Sequence, residues 1–456
     1  MALTSSSKQL DAHQKALAIN LDQTIFGSFA EIGAGQEVAR WFLRVGGASG
    51  TVAKTVSAYD KEVSDDLYGA GSRYVSMQRL EAMLDREWNL LLTQLKKSRG
   101  PSTRFFSFAD TVSARSFSGT NECHGWMGIR FQDQPGGEVH DILLHLNLKD
   151  TSNLSQQEVL GIVGVNLIYA TFHQRASPEG LLRILCDQAS LERIEIDFIE
   201  VRGPAFRAWN RQDLLLGLLR ENLAEAVVFP SGSHWGPPTE ILRKRPIILA
   251  PLGWGSLTCA HKDMLSAAMR ELKAQIGNAA TNPLGFFTIT ISPGGVPPPA
   301  NSSFGFSSRL EALVSLGSGV LVFGYSELYR MTSFVNRYTQ APVGFVVGVS
   351  SVIHLFSVQH SNLEGRLLEG LSKLFAQNVC VYVYPMPPIA LQESLPSASA
   401  AGWKWKSKEG LISADQLQAP PPLGHLLAYL LAKKFIVPLQ PRLSQMDFRA
   451  IHWRHS

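Results

Sequence analysis

A chain of 456 residues is longer than a single hydrophobic core usually grows, so two or three domains are expected. Hydrophobic residues make up 45% against 18% charged, enough apolar surface to offset chain entropy and to exclude disorder for the bulk of the chain. The formal charge of +4 gives no strong field and excludes the basic balance of a dedicated DNA binder.

The segment Met1–Gln14 is polar and carries no apolar core, so it does not read as a secretory signal. Cys123, Cys186, Cys259 and Cys380 form no CxxC pair, which signals neither a disulfide framework nor a tetrathiolate zinc site. A cytoplasmic location with reduced thiols is the expectation. The least charged stretches, Ala312–Ser326 and Pro342–Phe356, fall short of the roughly 18 apolar residues of a membrane span, so no membrane partner is expected.

In chain order, the first motif is Glu31-Ile-Gly33-Ala-Gly35-Gln-Glu-Val-Ala-Arg40, a Gly-x-Gly turn leading into a helical pattern. Such a turn can aim backbone amides at a phosphate, but Val38 stands where the dinucleotide fingerprint has its third glycine, and a structural turn is favoured. Next, Gly46-Gly47-Ala-Ser-Gly50-Thr51-Val-Ala-Lys54-Thr55 has P-loop spacing with alanine at both required glycines. It is a small-residue loop where Lys54 is the place to look for phosphate contact.

Ser76–Leu95 has apolar residues at helical spacing, with Ser76 able to cap the first turn. Arg104–Ala109 reads as a strand. Gly128–Gln132 and Val139–Leu148 read as a hairpin across Gln134-Pro135-Gly136-Gly137. Ser155-Gln-Gln-Glu158 reads as a capping box opening a helix to Phe172, Ser177-Pro178-Glu179 as the start of another, and Arg193–Val201 as a strand.

The densest polar cluster lies between these elements. It comprises Asp110, Arg115, Asn121, Glu122, Cys123 and His124, with Asp110 at the carboxyl end of a strand, where open α/β sheets place ligands. Carboxylates, a thiol, an imidazole and an arginine can supply a base, a nucleophile and an anion clamp. The plain alternative is a polar loop that satisfies its own backbone. His140 and His145 lie on opposite faces of the neighbouring strand, so only one can join the cluster. A zinc site from Cys123, His124 and His145 matches no standard spacing, and no metal ligand is assigned.

Beyond residue 235, short apolar runs at Pro246–Ala250, Phe286–Ile291, Gly319–Phe323, Gly344–Val349 and Val379–Tyr384 alternate with helical patterns at Lys262–Gln275, Ser308–Leu316, Glu327–Arg337 and Leu363–Phe375. That alternation predicts right-handed crossovers. The fold class expected is therefore α/β: a mostly parallel doubly wound sheet in a domain over 236–456, with a Pro- and Ser-rich loop at 385–422. It is preceded by an α/β or α+β domain over 1–235 that contains an antiparallel hairpin. Trp403-Lys-Trp-Lys-Ser-Lys408 and the end His452–Ser456 interleave aromatics with cations, as single-strand binders do, but a solvated loop is favoured over nucleic acid.

The segments Phe29–Arg40, Val45–Asp60, Gly119–Trp126 and Val381–Pro385 resemble a family of bacterial cytosolic proteins whose members often carry the label nicotinate-nucleotide adenylyltransferase. The resemblance runs from about Ala16 to Leu439. It implies nucleotidyl transfer with Mg²⁺. The family label's His-x-x-His and Ser-Ser-Thr-x-x-Arg elements are not in place, since Gly424-His425 is a lone dipeptide and Ser307-Ser308-Arg309 sits mid-chain. No catalytic residue carries over.

The functional expectation is thus a protein binding a nucleotide or another phosphorylated small molecule. Gly33, Gly35, Gly47, Gly50, Thr51, Lys54, Arg115 and Asn121 would hold the ligand, and Asp110, Glu122, Cys123 and His124 would act on it. It requires Lys54, Arg115 and His124 to lie close together. The rival expectation is a non-catalytic, self-associating scaffold, a homo-oligomer whose interfaces use Phe26, Trp41, Trp126 and Trp254.

Overall fold

The computed structural model describes residues 10–71, 73–119, 121–232, 234–253, 259–277, 281–291, 306–315, 317–356, 366–395, 401–407 and 410–441. Trp254, Lys408 and His452–Ser456 lie outside them. The protein is α/β and divides into two compact units, Met1–Val227 and Val228–Ser456.

In the first unit the order is α1 (Ala12–Leu21), β1 (Ile25–Gly33), α2 (Val38–Arg44), β2 (Val52–Ala58), α3 (Lys61–Tyr68), α4 (Met77–Arg99), β3 (Arg104–Ser113), β4 (His124–Gln132), β5 (Val139–Leu148), α5 (Asn153–His173), α6 (Pro178–Leu185), β6 (Ile194–Arg202) and α7 (Arg211–Arg220). The six strands form one mixed sheet in the order β2-β1-β3-β4-β5-β6. β2, β1 and β3 are parallel, and β3 to β6 form an antiparallel meander.

Local chemistry sets the helix ends. Ser76 accepts the Arg79 amide at the start of α4, whose last turn carries Lys96, Lys97 and Arg99 against the negative end of the helix. α6 starts at Ser177 with Pro178 in its first turn, as its sequence predicts. For α5 the cap is Ser152, which accepts the Ser155 amide at 3.1 Å. The helix therefore begins three residues before the expected Ser155 box.

Each face of the sheet has its own cover. α5 packs on one, with Phe172 edge-on to Phe106 and Phe131. α4 packs on the other, where acidic side chains meet cations from the strands. Glu87 meets Lys54 of β2 at 2.7 Å, Asp85 meets Arg130 of β4, and Glu81 meets Arg202 of β6 at 2.6 Å. Arg130 is also held by both oxygens of Asp141, at 2.8 and 2.9 Å, the forked geometry that makes arginine–carboxylate pairs strong.

The second unit runs β7 (Ala226–Phe229, which crosses the division), α8 (Pro238–Ile241), β8 (Ile247–Pro251), α9 (Cys259–Ile276), β9 (Leu284–Thr290), α10 (Phe306–Ser315), β10 (Gly319–Phe323), α11 (Leu328–Val335), β11 (Val343–Gly348), α12 (Val349–Leu355), α13 (Arg366–Leu374), β12 (Val379–Tyr384), α14 (Pro388–Ser394), β13 (Lys404–Trp405), β14 (Leu417–Gln418), α15 (Leu423–Ala432) and β15 (Ile436–Pro438). Its sheet has the order β15-β12-β11-β8-β9-β10-β7, with β10, β9, β8, β11, β12 and β15 parallel. Chain order from β8 therefore gives 3-2-1-4-5-6 across the sheet, the doubly wound arrangement. The near-continuous apolar strands are buried, as strands covered on both faces must be.

The Trp403 segment is not an exposed aromatic platform. Trp403 is buried against Phe356, with ring centroids 5.7 Å apart, and β13 pairs with β14.

Gly164 lets α5 close on α2, because a Cβ there would overlap the Val38 side chain. Gly164→Leu should destabilise the chain by about 1–3 kcal/mol, the usual cost of overpacking, read as a lower urea midpoint. An unchanged midpoint would show that the contact is not tight.

Candidate functional site

Register decides which of the expected residues can meet. Side chains of paired residues share a sheet face, and neighbours along a strand alternate. Glu31 of β1 is level with Asp110 of β3, and Asp110 with Met127 of β4. Asp110 shares its parity with Phe106, so this set lies on the α5 face. Ser113 is level with His124, and His124 with Asn147. Those share parity with Arg130, so they lie on the α4 face. The sheet separates Asp110 from His124.

The expected constellation is divided along the strands as well. Lys54 is level with Ser28, and Ser28 with Ser107. His124 is level with Ser113, six residues or roughly 20 Å farther along at about 3.3 Å per residue. Lys54 is also committed to Glu87. The Gly46–Thr51 loop precedes β2 and sits at the opposite edge of the sheet from the end of β1. Gly47 is left-handed, and the turn closes on itself through Gly50 N–H to Gly47 O and Thr51 N–H to Ala48 O. Asn20 donates to Gly46 O at 2.7 Å, and buried Thr51 donates to Ile19 O. Gly47, Gly50, Thr51 and Lys54 are thus structural and lie away from Arg115 and His124.

The Gly33–Gly35 turn is also occupied. Gly33 is left-handed, and the Val38 and Ala39 amides at the start of α2 donate to the Glu31 carboxylate at 2.9 and 3.2 Å. The protein's own side chain thus takes the place a phosphate would use. Gly35 is required because a Cβ there would overlap the Asp110 carboxyl. Burial pushes Glu31 up to about 8 against the two amides that favour its charge. Burial and the Glu31 carboxyl hold Asp110 well above the ordinary range, with a minor opposing contribution from the Ile32 backbone. Asp110 is therefore fully buried inside the sheet, its carboxyl held toward the neutral form, and does not face a ligand.

The loop 114–122 shows both alternatives at once. Asn121 serves its own loop: its amide donates to Ser113 Oγ and Ala114 O and its oxygen accepts the Ser116 amide, at 3.1, 2.7 and 2.7 Å. Cys123 is half-buried, with Sγ 3.7 Å from Asn121 O. Arg115 and Glu122 are exposed.

His124 does enter a chain of chemically ordered groups. Its Nδ1 lies 3.1 Å from Nε2 of His145, whose Nδ1 lies 2.6 Å from Asp197 Oδ1. Asn147 donates to the other Asp197 oxygen at 2.7 Å. His145 and Asp197 are fully enclosed, Trp126 packs edge-on to His145 at 5.0 Å, and His124 is half-buried. The Asp197 carboxylate accepts from Nδ1–H of His145, so Nε2 of His145 accepts from Nδ1–H of His124. That fixes the tautomer of both rings and leaves Nε2 as the basic nitrogen of His124. His140 points to the other face, against Phe131 and Phe206.

Sequence reasoning missed Asp197 and Asn147. The available signal was Ile194-Glu-Ile-Asp-Phe-Ile, where two acids share one face of a buried strand. An acid there needs partners on the adjacent strand.

Comparison with family models and with curated proteins finds no match. Among solved structures, the chain is similar to the competence/damage inducible protein CihA from Agrobacterium tumefaciens, at 17% identity and TM-score 0.27, covering 36% of this chain and 96% of that one. It is similar to a competence or damage-inducible protein from Enterobacter asburiae at 12% identity and TM-score 0.27, covering 36% and 99%. A competence-damaged protein (CinA) superfamily protein from Enterobacter cloacae matches at 12% and 0.27, covering 38% and 98%. The adenylyltransferase label finds no support in these matches. Among the described residues no helix is long and apolar enough to cross a membrane, and no group of three or more His, Cys, Asp or Glu side chains could hold a metal ion.

The buried acid pair makes stability depend on pH. Folding raises Glu31 from 4.5 to about 8, so the folded chain binds more protons than the unfolded one between those values. Its contribution is full below about pH 4.5 and is lost as pH rises through 8. Urea midpoints should fall from pH 6.5 to pH 9, and Glu31→Gln should flatten that fall. An equally steep decline in the variant would place the titration elsewhere.

Proposed function

We propose that the protein binds a nucleotide or another phosphorylated small molecule at the carboxyl edge of the first unit's sheet, in a site that leaves out the distant Lys54, and performs acid–base chemistry on it there with His124 moving the proton. The observation that carries this reading is the Asp197–His145–His124 chain. A buried carboxylate orients one imidazole, which orients a second, half-buried one. When His124 takes a proton at Nε2, its Nδ1–H strengthens the bond to His145, and the positive charge is stabilised by Asp197 through the intervening ring. Arg115, exposed two residues beyond Ser113, is a cation on the same edge that suits a phosphoryl group. The doubly wound second unit, with its order reversing between β8 and β11, favours a nucleotide by fold analogy.

A self-associating scaffold is the second reading. It is favoured by Phe117, fully exposed in the 114–122 loop, since exposed aromatics mark interfaces. Light scattering separates the two: a dimer that Phe117→Ser dissociates supports it.

The enzymatic reading is tested by thermal-shift and turnover screening against ATP, NAD, nicotinate mononucleotide and sugar phosphates, with and without Mg²⁺. For a compound that is turned over, His124→Asn should cut the rate about 10²- to 10⁴-fold while ligand stabilisation persists. Asp197→Asn should remove the downfield proton resonance expected of the short His145–Asp197 bond. A His124→Asn protein that works at full rate would refute the proton-transfer role, and failure of every compound to stabilise the chain would refute the ligand class.

A further inference from the structure

The second unit contains a cavity that the acid–base reading does not use. It has a volume of about 420 Å³, inside the range of small-molecule sites. It lies at the amino edge of the parallel strands, where β9 begins at Leu284 and β10 at Gly319. That is the edge opposite to the one where doubly wound sheets usually place nucleotides.

Two glycines shape its wall. A Cβ at Gly285 would come within 2.6 Å of Met269 Sδ, and one at Gly319 would overlap the Phe286 ring. Met269 packs over Gly285 and Phe286 over Gly319, on opposite faces of the sheet at its amino edge, and Ile241 adds to the apolar lining.

Two side chains of opposite charge, Arg245 and Glu240, line the same cavity. Arg245 donates from Nη2 to Asn282 O at 3.1 Å, its buried Nε has no partner, and among the described residues no carboxylate pairs with it. Among the described residues the Glu240 carboxylate pairs only with His234, itself mostly exposed, at 3.9 Å. A cavity with one cation, one anion and an apolar wall offers no net charge for a phosphate dianion. It matches a molecule that carries both charges and an apolar body.

We propose that this cavity binds a free amino acid with an apolar side chain, its carboxylate on Arg245, its ammonium towards Glu240 and its side chain against the apolar lining. Hydrogen bonds to charged groups carry such recognition. Because the site is lined by residues of the second unit alone and calls for no phosphate, it stands or falls independently of His124.

The test is calorimetric titration of the full-length protein with L-leucine, L-methionine and L-phenylalanine, alongside leucinamide, which lacks the carboxylate, and 4-methylpentanoate, which lacks the amine. At least one of the amino acids should bind, and both analogues should bind at least about tenfold more weakly than leucine, the loss expected on removing one charged hydrogen-bonding group. Arg245→Gln and Glu240→Gln should each weaken amino-acid binding roughly ten- to a hundredfold. Ser231→Trp, a change at an exposed rim position, should block binding without disturbing the fold, which decides the matter if the Arg245 variant does not fold. Failure of all three amino acids, or binding that survives Ser231→Trp unchanged, overturns the proposal. Equal binding of 4-methylpentanoate overturns the assignment of the ammonium to Glu240.

Discussion

The alternation of side chains along β3 is the constraint on which the rest of the first unit depends. With Asp110 level with Met127 and Ser113 level with His124, the carboxyl and the imidazole fall on opposite faces of the sheet. A one-residue slip of β3 against β4 would put both on one face. The register is held on both sides, by Phe106 and Phe131 against Phe172 on the α5 face and by Arg130 against Asp85 and Asp141 on the α4 face. The apolar face fixes the depth of the strand and the charged face fixes its position along it.

Both faces carry ionisable groups, and each group is matched to a different partner. On the α4 face, acids of one helix meet cations of three strands, so burial does not leave an ion unpaired. On the α5 face, Glu31 takes two helix-start amides while burial holds Asp110 next to it toward the neutral form. The glycine turn between them is conserved space for that carboxyl pair in the physical sense: Gly35 has no room for a Cβ. What resembles a phosphate loop in sequence is therefore closed by the protein's own carboxylate. The His124 relay lies on the face where polar partners come from strands rather than from a helix start.

The second unit solves burial differently. Its parallel strands are mostly apolar and buried on both faces, with Thr288 a buried polar exception. The chain order that reverses between β8 and β11 opens one edge, and the glycines at 285 and 319 hollow the other. Two chemically distinct edges on one sheet follow from covering both faces, since only strand ends are left to meet small molecules.

Much of the secondary structure was legible in the residues. β10 and β12 occur at the bounds that their apolar runs predict, and Ser76 and Ser177 cap the helices they precede, because capping and strand patterns are local. The relay was legible only in part. His124 stood in the polar cluster and His145 in the hairpin, and parity along that strand already ruled that His140 and His145 could not both join it. Asp197 is 73 residues from His124 along the chain, and no local spacing ties them. Lys54 and Arg115 looked like two halves of one anion clamp, yet parallel pairing of β1 with β2 and β3 sets them at different heights of the sheet. The sequence by itself determined which segments are helices and strands and which residue types are available for chemistry, since propensity, capping and periodicity act over a few residues. Only the tertiary structure decided which of them meet, because strand order, register and face are set by packing between segments far apart in the chain.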